Sequence, residues 1–213
     1  MSLRAVIPVK PFSKGKSRLS QVFDPKVLYR LNVTLFFRTL QIVVLSQVFD
    51  EVLVVSRSKQ ALRWADQKGL STLLEASPHS LNSAIKQAIS FLDAKERDGL
   101  VILPTDLPLM TTDDLRNLVK LGQKSDMVIV PDCHQAGTNA ICLNAKARFE
   151  PSFGFGSFQK HCKLALKDDL SVSVWMNKCL QRDLDTQPDW EVIQSQTDLS
   201  EIKHKPFERI SSS

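Results

Sequence analysis

The chain has 213 residues and a formal net charge of +5 at pH 7, and its 43% hydrophobic and 24% charged residues are typical of a globular protein. Disordered and fibrous classes are excluded, and we expect no membrane helix, because no window offers about 18 consecutive apolar residues. The positive charge favours an anionic partner. Because long basic runs interleaved with aromatic residues are absent, a small phosphorylated ligand is preferred, and no nucleic acid and no membrane is expected.

The predicted strands and helices alternate along the chain. Short apolar runs predict strands at 4–9, 51–57, 71–76, 100–103, 126–132, 138–144, 170–176 and 180–185. Apolar residues at helical spacing predict helices at 25–46, 58–69, 80–96, 111–122, 157–167 and 187–194. This alternation predicts one α/β domain over residues 1–197, in which helices cover both faces of a mostly parallel sheet in three αβα layers. Residues 198–213 are predicted to form a polar tail.

A basic loop follows the first strand, at the carboxyl edge where open α/β sheets bind their ligands. The basic residues of this loop are Lys10, Lys14, Lys16 and Arg18. Basic side chains and backbone amides in such a loop suit a polyphosphate. The triplet "GKS" resembles the end of a P-loop, but that motif needs a glycine where this chain has Lys10, so a P-loop is excluded. The alternative is a solvated basic loop.

Three aspartates stand at the ends of predicted strands. Asp106 follows an apolar run and lies between Pro104 and Pro108, which cannot extend a sheet. Asp183 and Asp185 are two residues apart, so their side chains would share one face of a strand. Clustered carboxylates repel each other unless a cation lies between them, and Mg²⁺ is the hard cation that best suits carboxylates facing phosphates. The alternatives are a turn aspartate at 106 and an exposed acidic strand end.

Two glycine-containing turns mark a further candidate site. "GTN" places Thr138 at the start of a strand, and "FGFGS" places Gly154 and Ser157 before a helix. A glycine turn that leads into a helix N-terminus binds anions. Ser157 and His161 have the spacing of neighbours on one helix face, which is compatible with a hydrolase, but no G-x-S-x-G elbow is present. We therefore interpret Ser157 as a helix cap or a phosphate ligand.

Six segments stand out in order between about residues 4 and 193: "IPVKPFSKGKSRL", "SLNSAI", "LPTDLPLM", "GTNAI", "FGFGSFQKH" and "DLDTQPDW". Together they resemble the CofC-type guanylyltransferases of deazaflavin coenzyme (factor 420) biosynthesis. The resemblance implies a GT-A-like, MobA-like nucleotidyltransferase fold with a mixed, mostly parallel sheet. It also implies transfer of GMP from GTP to 2-phospho-L-lactate, phosphoenolpyruvate or 3-phospho-D-glycerate, with release of pyrophosphate.

The same resemblance implies a role for individual residues. The Mg²⁺ ligands would be Asp106, Asp183 and Asp185. The residues that contact the phosphorylated acid would be Thr138, Gly154 and Ser157. The nucleotide would be bound by Lys10, Lys16, Arg18 and Asn82. The catalytic residues would be Asp106, Lys16 and Arg18. An enzyme of this kind is expected to be a cytoplasmic monomer or homodimer, and the cysteines, which form no C-x-x-C pair, agree with a reducing compartment.

The chain departs from the family pattern at the acceptor side. Phe155 stands between two glycines where a small or polar residue is usual, so we expect it to narrow or reshape the acid pocket. The Gly-rich, Arg-containing guanine loop of MobA-like relatives is replaced by "VKPFSKGKSRL", which argues against molybdopterin as the acceptor. The alternative functions are a nucleotidyltransferase with a sugar-phosphate acceptor, a non-catalytic GTP-binding protein and, last, a nucleic-acid-binding module.

Overall fold

The computed structural model describes residues 2–93, 99–145, 147 and 149–196. The strands among them are β1 (Leu3–Val9), β2 (Glu51–Ser56), β3 (Ser71–Leu74), β4 (Gly99–Ile102), β5 (Met127–Pro131), β6 (Thr138–Leu143) and β7 (Val172–Val174). The helices are α1 (Pro25–Ser46), α2 (Lys59–Asp66), α3 (Leu81–Asp93), α4 (Thr112–Gly122), α5 (Ser157–Lys167) and α6 (Gln187–Gln194), and a short 3₁₀ helix spans Ser17–Gln21. The predicted tail, 198–213, lies outside the described residues.

The strands form one mixed sheet in the order β3-β2-β1-β4-β6-β5-β7. The pairs β1–β2, β1–β4, β2–β3 and β5–β7 are parallel, whereas β6 is antiparallel to both of its neighbours, β4 and β5. The prediction of a mostly parallel sheet is therefore confirmed. Because β6 runs in the opposite direction, its first residue, Thr138, lies at the edge of the sheet where β1 and β4 end.

Alternate residues of the central strands point to opposite faces of the sheet, and helices cover both faces. Ile7 and Val101 face the layer that contains α1, α2 and α4. Val6 and Ile102, their neighbours along β1 and β4, pack in the layer of α3, and α5 covers β5 and β6 on that same side through Ala165. This alternation is the period of two expected of a strand buried on both faces. The predicted three-layer αβα arrangement is confirmed.

Helix α1 is long and apolar enough, by length and composition alone, to cross a membrane, since an 18-residue window within it has a mean hydropathy of 1.3. Half of that window is buried inside the protein. Phe36 and Leu40, for example, are almost fully buried in the core between the sheet and the helices. The core helix of a soluble protein passes the same test, so the apolar composition of α1 is weak evidence for a membrane.

The segment 180–185, predicted as a strand, is not a strand in the structure. Its backbone does not pair with another strand at these two positions. The amide of Leu184 donates to the carbonyl oxygen of Asp106 (2.9 Å), and the carbonyl oxygen of Leu180 accepts from Asn139 Nδ2 (3.0 Å). Leu180 and Leu184, the two apolar residues of the segment, are nevertheless fully buried. The other predicted strands and all the predicted helices occur among the described residues, with shifts of a few residues at their described ends. Residues 94–96 of the helix predicted at 80–96 lie outside the described residues.

Candidate active site

A cleft of about 350 Å³ lies along the edge of the sheet where β1, β2 and β4 end and β6 begins. This is the edge at which an open α/β sheet binds its ligands. The residues singled out from the sequence that line the cleft are Lys10, Lys16, Asp106, Thr138, Asp183 and Asp185. The cleft therefore combines acidic and basic side chains, as a site for a metal ion and a polyphosphate requires.

Asp106 lies in the turn between β4 and α4, and this turn is fixed by contacts that leave the carboxylate available. Arg38 Nε, from α1, donates to the carbonyl oxygen of Pro108 (2.7 Å). Leu107 is almost fully buried in the core. The carbonyl oxygen of Asp106 accepts from the amide of Leu184 (2.9 Å), so the turn is also tied to the segment that carries the other two aspartates.

The structure brings Asp106, Asp183 and Asp185 together. One carboxylate oxygen of each lies within 4.8 Å of the others, and all three residues are half-buried. Although their segment is irregular, Asp183 and Asp185 line the cleft while Leu184 between them is fully buried. Asn139 Nδ2 also reaches Asp183 Oδ1 (3.3 Å), a contact that the sequence analysis missed although Asn139 stands next to Thr138 in "GTN". The three carboxylates therefore form one cluster.

Lys16 supplies the ammonium group of this cluster. Its Nζ lies 2.9 Å from Asp106 Oδ2 and 2.8 Å from Asp185 Oδ1, and its side chain is only 6% exposed. Its backbone has a φ of 58°, in the left-handed region that non-glycine residues rarely adopt. When all three carboxylates are ionised, one ammonium leaves two negative charges unbalanced, which is the charge of one divalent cation.

Burial and neighbouring charges separate the pKa values of the cluster. Burial, followed by the carboxylates of Asp106 and Asp185, raises the pKa of Asp183 to about 6. Burial alone would raise the pKa of Asp185, but the Lys16 ammonium, assisted by Arg18, lowers it. Burial would likewise lower the pKa of Lys16, but Asp106 and Asp185 together hold it above its usual value. The ionised form of Asp183, which Lys16 does not contact, is thus less favoured than that of Asp185.

The basic loop that carries Lys16 is anchored to α1 and α2. Phe12 is 4% exposed and stacks on Trp64, with ring centroids 5.6 Å apart. Asn32 Nδ2 donates to the carbonyl oxygen of Phe12 (2.7 Å). A Cβ atom at Gly15 would lie 2.7 Å from Asn32 Oδ1, so this close approach of the loop to α1 favours glycine. These contacts fix the backbone on the N-terminal side of Lys16.

Thr138 lines the cleft at the start of β6, which β4 separates from β1 in the sheet. Its Oγ1 lies 3.0 Å from Nδ1 of His161, and the Nε2 atom of that ring accepts from the amide of Ser152 (2.8 Å). His161 is fully buried. Burial, with a smaller effect of the Lys160 charge, lowers the pKa of His161 to about 4, so the ring is neutral at neutral pH.

Gly154, Ser157 and Asn82 are not among the described residues that line the cleft. The Ser157 side chain is buried, and its amide donates to the carbonyl oxygen of Gly154 (3.1 Å). Asn82 holds the backbone of Phe153 at two points: its Nδ2 donates to the carbonyl oxygen (3.0 Å) and its Oδ1 accepts from the amide (2.7 Å). Their predicted contacts with substrates stay predictions.

Two other predictions concern side chains at the surface. Arg18 is exposed and does not line the cleft, although its charge and that of Lys10 contribute to the lowered pKa of Asp185.

Phe155, which was expected to narrow the acid pocket, is fully exposed and is not among the described residues of the cleft wall. The glycines on either side have positive φ angles, and in this conformation the turn directs Phe155 into solvent.

Glu75 and His79 line the cleft and were missed by the sequence analysis. The Oε1 atom of Glu75 lies 3.6 Å from Nδ1 of His79. They follow β3 and belong to no motif, so only a position after a strand end could have indicated them, and the strand predicted at 71–76 included Glu75.

Curated relatives cover most of the chain. It is 34% identical over 189 residues to the 2-phospho-L-lactate guanylyltransferase of Methanothermobacter thermautotrophicus, covering 89% of this chain and 82% of the relative. It is 31% identical over 191 residues to the phosphoenolpyruvate guanylyltransferase of Sphaerobacter thermophilus, covering 90% of this chain and 92% of the relative.

Solved structures share the fold. A nucleotidyl transferase from Methanothermobacter thermautotrophicus has a TM-score of 0.68 at 15% identity, covering 91% of this chain and 96% of that chain. A protein from Mycobacterium tuberculosis H37Rv, determined as a complex with manganese, has a TM-score of 0.60 at 16% identity, covering 92% of this chain and all of that chain.

The αβα fold and the relatives together define this chain as an enzyme of the nucleotidyltransferase class. The family model described as "Guanylyl transferase CofC like" matches residues 3–201. The chain therefore belongs to the CofC-like guanylyl transferase family.

The residues of the cluster fit a divalent metal ion. Three carboxylates offer hard oxygen donors within reach of one ion. The Lys16 ammonium, held between Asp106 and Asp185, shows that a positive charge is favoured at this position. The residues that would hold the metal ion are Asp106, Asp183 and Asp185.

Proposed function

We propose that this enzyme transfers GMP from GTP to a small phosphorylated three-carbon acid, with release of pyrophosphate, in the biosynthesis of the deazaflavin coenzyme (factor 420). The acid would be 2-phospho-L-lactate, phosphoenolpyruvate or 3-phospho-D-glycerate. The observation that carries the proposal is the cluster of three carboxylates beside Lys16 at the carboxyl edge of the sheet. The family and the names of the relatives support the guanylyl donor and the acid acceptor.

The proposed reaction is a direct displacement at the α-phosphorus of GTP. A phosphate oxygen of the acid forms a bond to that phosphorus, and the bond to the bridging oxygen of the departing pyrophosphate breaks. No protein nucleophile is needed, because a phosphate dianion is already nucleophilic at neutral pH. The main obstacle is the repulsion between two polyanions, so positioning and charge neutralisation supply the catalysis.

Basic residues of the first loop would neutralise the phosphates of GTP. Lys10 and Lys16 line the cleft, and Arg18 lies close enough to lower the pKa of Asp185. Asp106, Asp183 and Asp185 would hold Mg²⁺. Mg²⁺ supplies Lewis-acid stabilisation of phosphate oxygens when it is bound.

On the acceptor side, Thr138 would bind the acid from the wall of the cleft. Gly154 and Ser157 would contact the same acid, and Asn82 would contact the nucleoside. In the described structure these three residues lie beside the cleft and not in its wall.

The enzyme is further proposed to work in the cytoplasm. All four of its cysteines are free thiols, as is usual for proteins of reducing compartments.

The experiment measures pyrophosphate release with GTP and each of the three acids, in the presence and absence of Mg²⁺. We expect release that requires GTP, one of the acids and the metal ion. Asp106→Asn should lower kcat by about 100- to 1000-fold, the effect of removing one preorganised electrostatic group. Asp113→Asn is the matched control, because Asp113 is 79% exposed and pairs with Arg116 away from the cleft.

Other outcomes would identify the alternatives. Near-normal turnover of Asp106→Asn would contradict the proposed metal site. Release with sugar phosphates and not with the acids would indicate a nucleotidyltransferase with another acceptor. Thermal stabilisation by GTP without pyrophosphate release would indicate a non-catalytic GTP-binding protein.

A further inference from the structure

His161 is buried and hydrogen-bonded at both ring nitrogens, yet the proposed reaction gives it no role. Ser152 donates its amide hydrogen to Nε2 (2.8 Å), and Thr138 Oγ1 lies 3.0 Å from Nδ1. The rings of Phe149 and Phe153 pack edge-on against the imidazole, with centroids at 5.7 and 5.1 Å. A ring enclosed in this way is held in one orientation.

The hydrogen bond from Ser152 determines the tautomer of this ring. A backbone amide can only donate, so Nε2 of His161 must accept and carries no hydrogen. A neutral imidazole then carries its hydrogen on Nδ1, and that N–H donates to Thr138 Oγ1. The ring is neutral because burial lowers the pKa of His161 to about 4.

The tautomer in turn determines how the Thr138 hydroxyl bonds. One lone pair of Oγ1 is used by His161, so the hydroxyl hydrogen is directed away from the ring. Thr138 lines the same cleft as Lys10 and Lys16 of the basic loop. An anionic group in the cleft is the acceptor that would complete this chain of hydrogen bonds.

We propose that His161 is a positioning residue that fixes the Thr138 hydroxyl as a hydrogen-bond donor to the anionic acceptor substrate. Since the acceptor is a phosphorylated acid only in the proposed function, this role of His161 rests on that function. The Ser152 amide donates to His161, and His161 donates to Thr138. The Thr138 hydroxyl then donates to a phosphate or carboxylate oxygen of the substrate. His161 acts through Thr138 and does not touch the substrate.

A double-mutant cycle tests this role. We expect His161→Leu and Thr138→Val each to raise the KM for the acid about 10-fold, the value of one hydrogen bond to a charged group, and to leave the KM for GTP within about twofold. Because His161 acts only through the Thr138 hydroxyl, the double variant should be no worse than Thr138→Val alone. Thr138→Ser, which keeps the hydroxyl, is the matched control. Multiplied defects, or an equal rise in the KM for GTP, would overturn the role.

If His161→Leu does not fold, His161→Asn replaces it, because its side-chain amide can place a donor near the position of Nδ1. We expect the KM of His161→Asn for the acid to be closer to that of the wild type than to that of Thr138→Val. A KM equal to that of Thr138→Val would contradict the role of His161.

A second measurement needs no activity. Nitrogen NMR of the wild-type protein labelled at its histidines should show one histidine with its hydrogen on Nδ1 and none on Nε2, and that signal should vanish in His161→Asn. A hydrogen on Nε2 of His161 would overturn the inference. Absence of pyrophosphate release by the wild type, with the expected tautomer, would contradict the proposed function alone.

Discussion

The amide of Leu184 donates a 2.9 Å hydrogen bond to the carbonyl oxygen of Asp106. This bond joins the turn after β4 to the irregular segment that carries Asp183 and Asp185. It leaves all three carboxylates facing the cleft, while the Leu184 side chain packs in a small apolar cluster with Leu19 and the aromatic ring of Trp190. The geometry of the acidic cluster therefore depends on packing behind it.

Truncating the buried side chain at Leu184 should disturb both stability and metal binding. Leu184 is fully buried, so Leu184→Ala should lower the free energy of unfolding by about 2–5 kcal/mol. The increase in stability on adding Mn²⁺, measured by urea unfolding, should also be smaller than in the wild type. Leu166→Ala is the control, since Leu166 is 71% exposed and its loss should cost less than about 0.5 kcal/mol. Unchanged stabilisation by Mn²⁺ would show that the packing does not set the site.

Replacing Lys16 should destabilise the metal-free protein more than the metal-bound protein. Lys16→Met leaves Asp106 and Asp185 without their shared ammonium, and we expect a loss of about 2 kcal/mol, below the range for fully buried pairs because the carboxylates are partly exposed. Urea unfolding with EDTA and with Mg²⁺ measures the two losses. Lys14→Met, an exposed change in the same loop, should have little effect. Equal losses with and without Mg²⁺ would mean that the ammonium and the metal do not share the cluster.

Replacing Asn82 tests whether its side chain has a structural role or contacts the substrate. Asn82→Ala removes both hydrogen bonds to the Phe153 backbone, so the free energy of unfolding should fall by about 1 kcal/mol. Asn82→Asp, which keeps only an acceptor, should lose less. Lys86→Met, on the exposed face of the same helix, is the control. A raised KM for GTP at unchanged stability would instead support the predicted contact with the nucleoside.

We expect the ionisation of His161 to lower the free energy of unfolding in mild acid. Its pKa drops from 6.5 to about 4 on folding, so below pH 6.5 the unfolded chain binds a proton that the folded protein does not. The free energy of unfolding should therefore decrease by about 2 kcal/mol between pH 7 and pH 5 through this group, and level off below its folded pKa.

The acidic side chain of Asp183 titrates in the opposite sense over the same range, since its pKa is raised to about 6 and the folded protein binds the extra proton. The contribution of His161 is therefore measured as the difference between the wild type and His161→Asn in urea unfolding at several pH values. Parallel curves for the two proteins would show that His161 is protonated equally in the folded and unfolded states.

The sequence predicted the layers of the fold, because apolar alternation is a local property. It did not predict that β1 and β4 are neighbours, and this adjacency is what brings Lys16 to Asp106. The segment 180–185 was mistaken for a strand because its two leucines are of the kind that a strand buries, whereas a strand also needs a partner backbone. Its backbone instead bonds to Asp106 and to the side chain of Asn139.

The candidate site was predicted only in part, because local patterns locate single residues and not the contacts between distant elements. Asp183 and Asp185 both line the cleft, because alternation about the buried Leu184 does not require a strand. The bond between His161 and Thr138 joins α5 to the start of β6, and helical spacing pointed to Ser157 as its partner instead. Contacts between distant elements depend on strand order and loop paths, which local patterns do not contain.

The reversal of β6 lets the chain return to the cleft through a short loop instead of a crossover helix. The carboxylate of Asp132 closes this loop by accepting from the amides of His134, Ala136 and Gly137 at 3.0, 2.9 and 2.7 Å. A parallel strand in the same place would need a connection of about a dozen residues or more, and its first residue would lie at the far rim of the sheet. The short loop thus ends directly at Thr138 in the wall of the cleft, at the same edge of the sheet from which the loops that carry Lys16 and Asp106 depart.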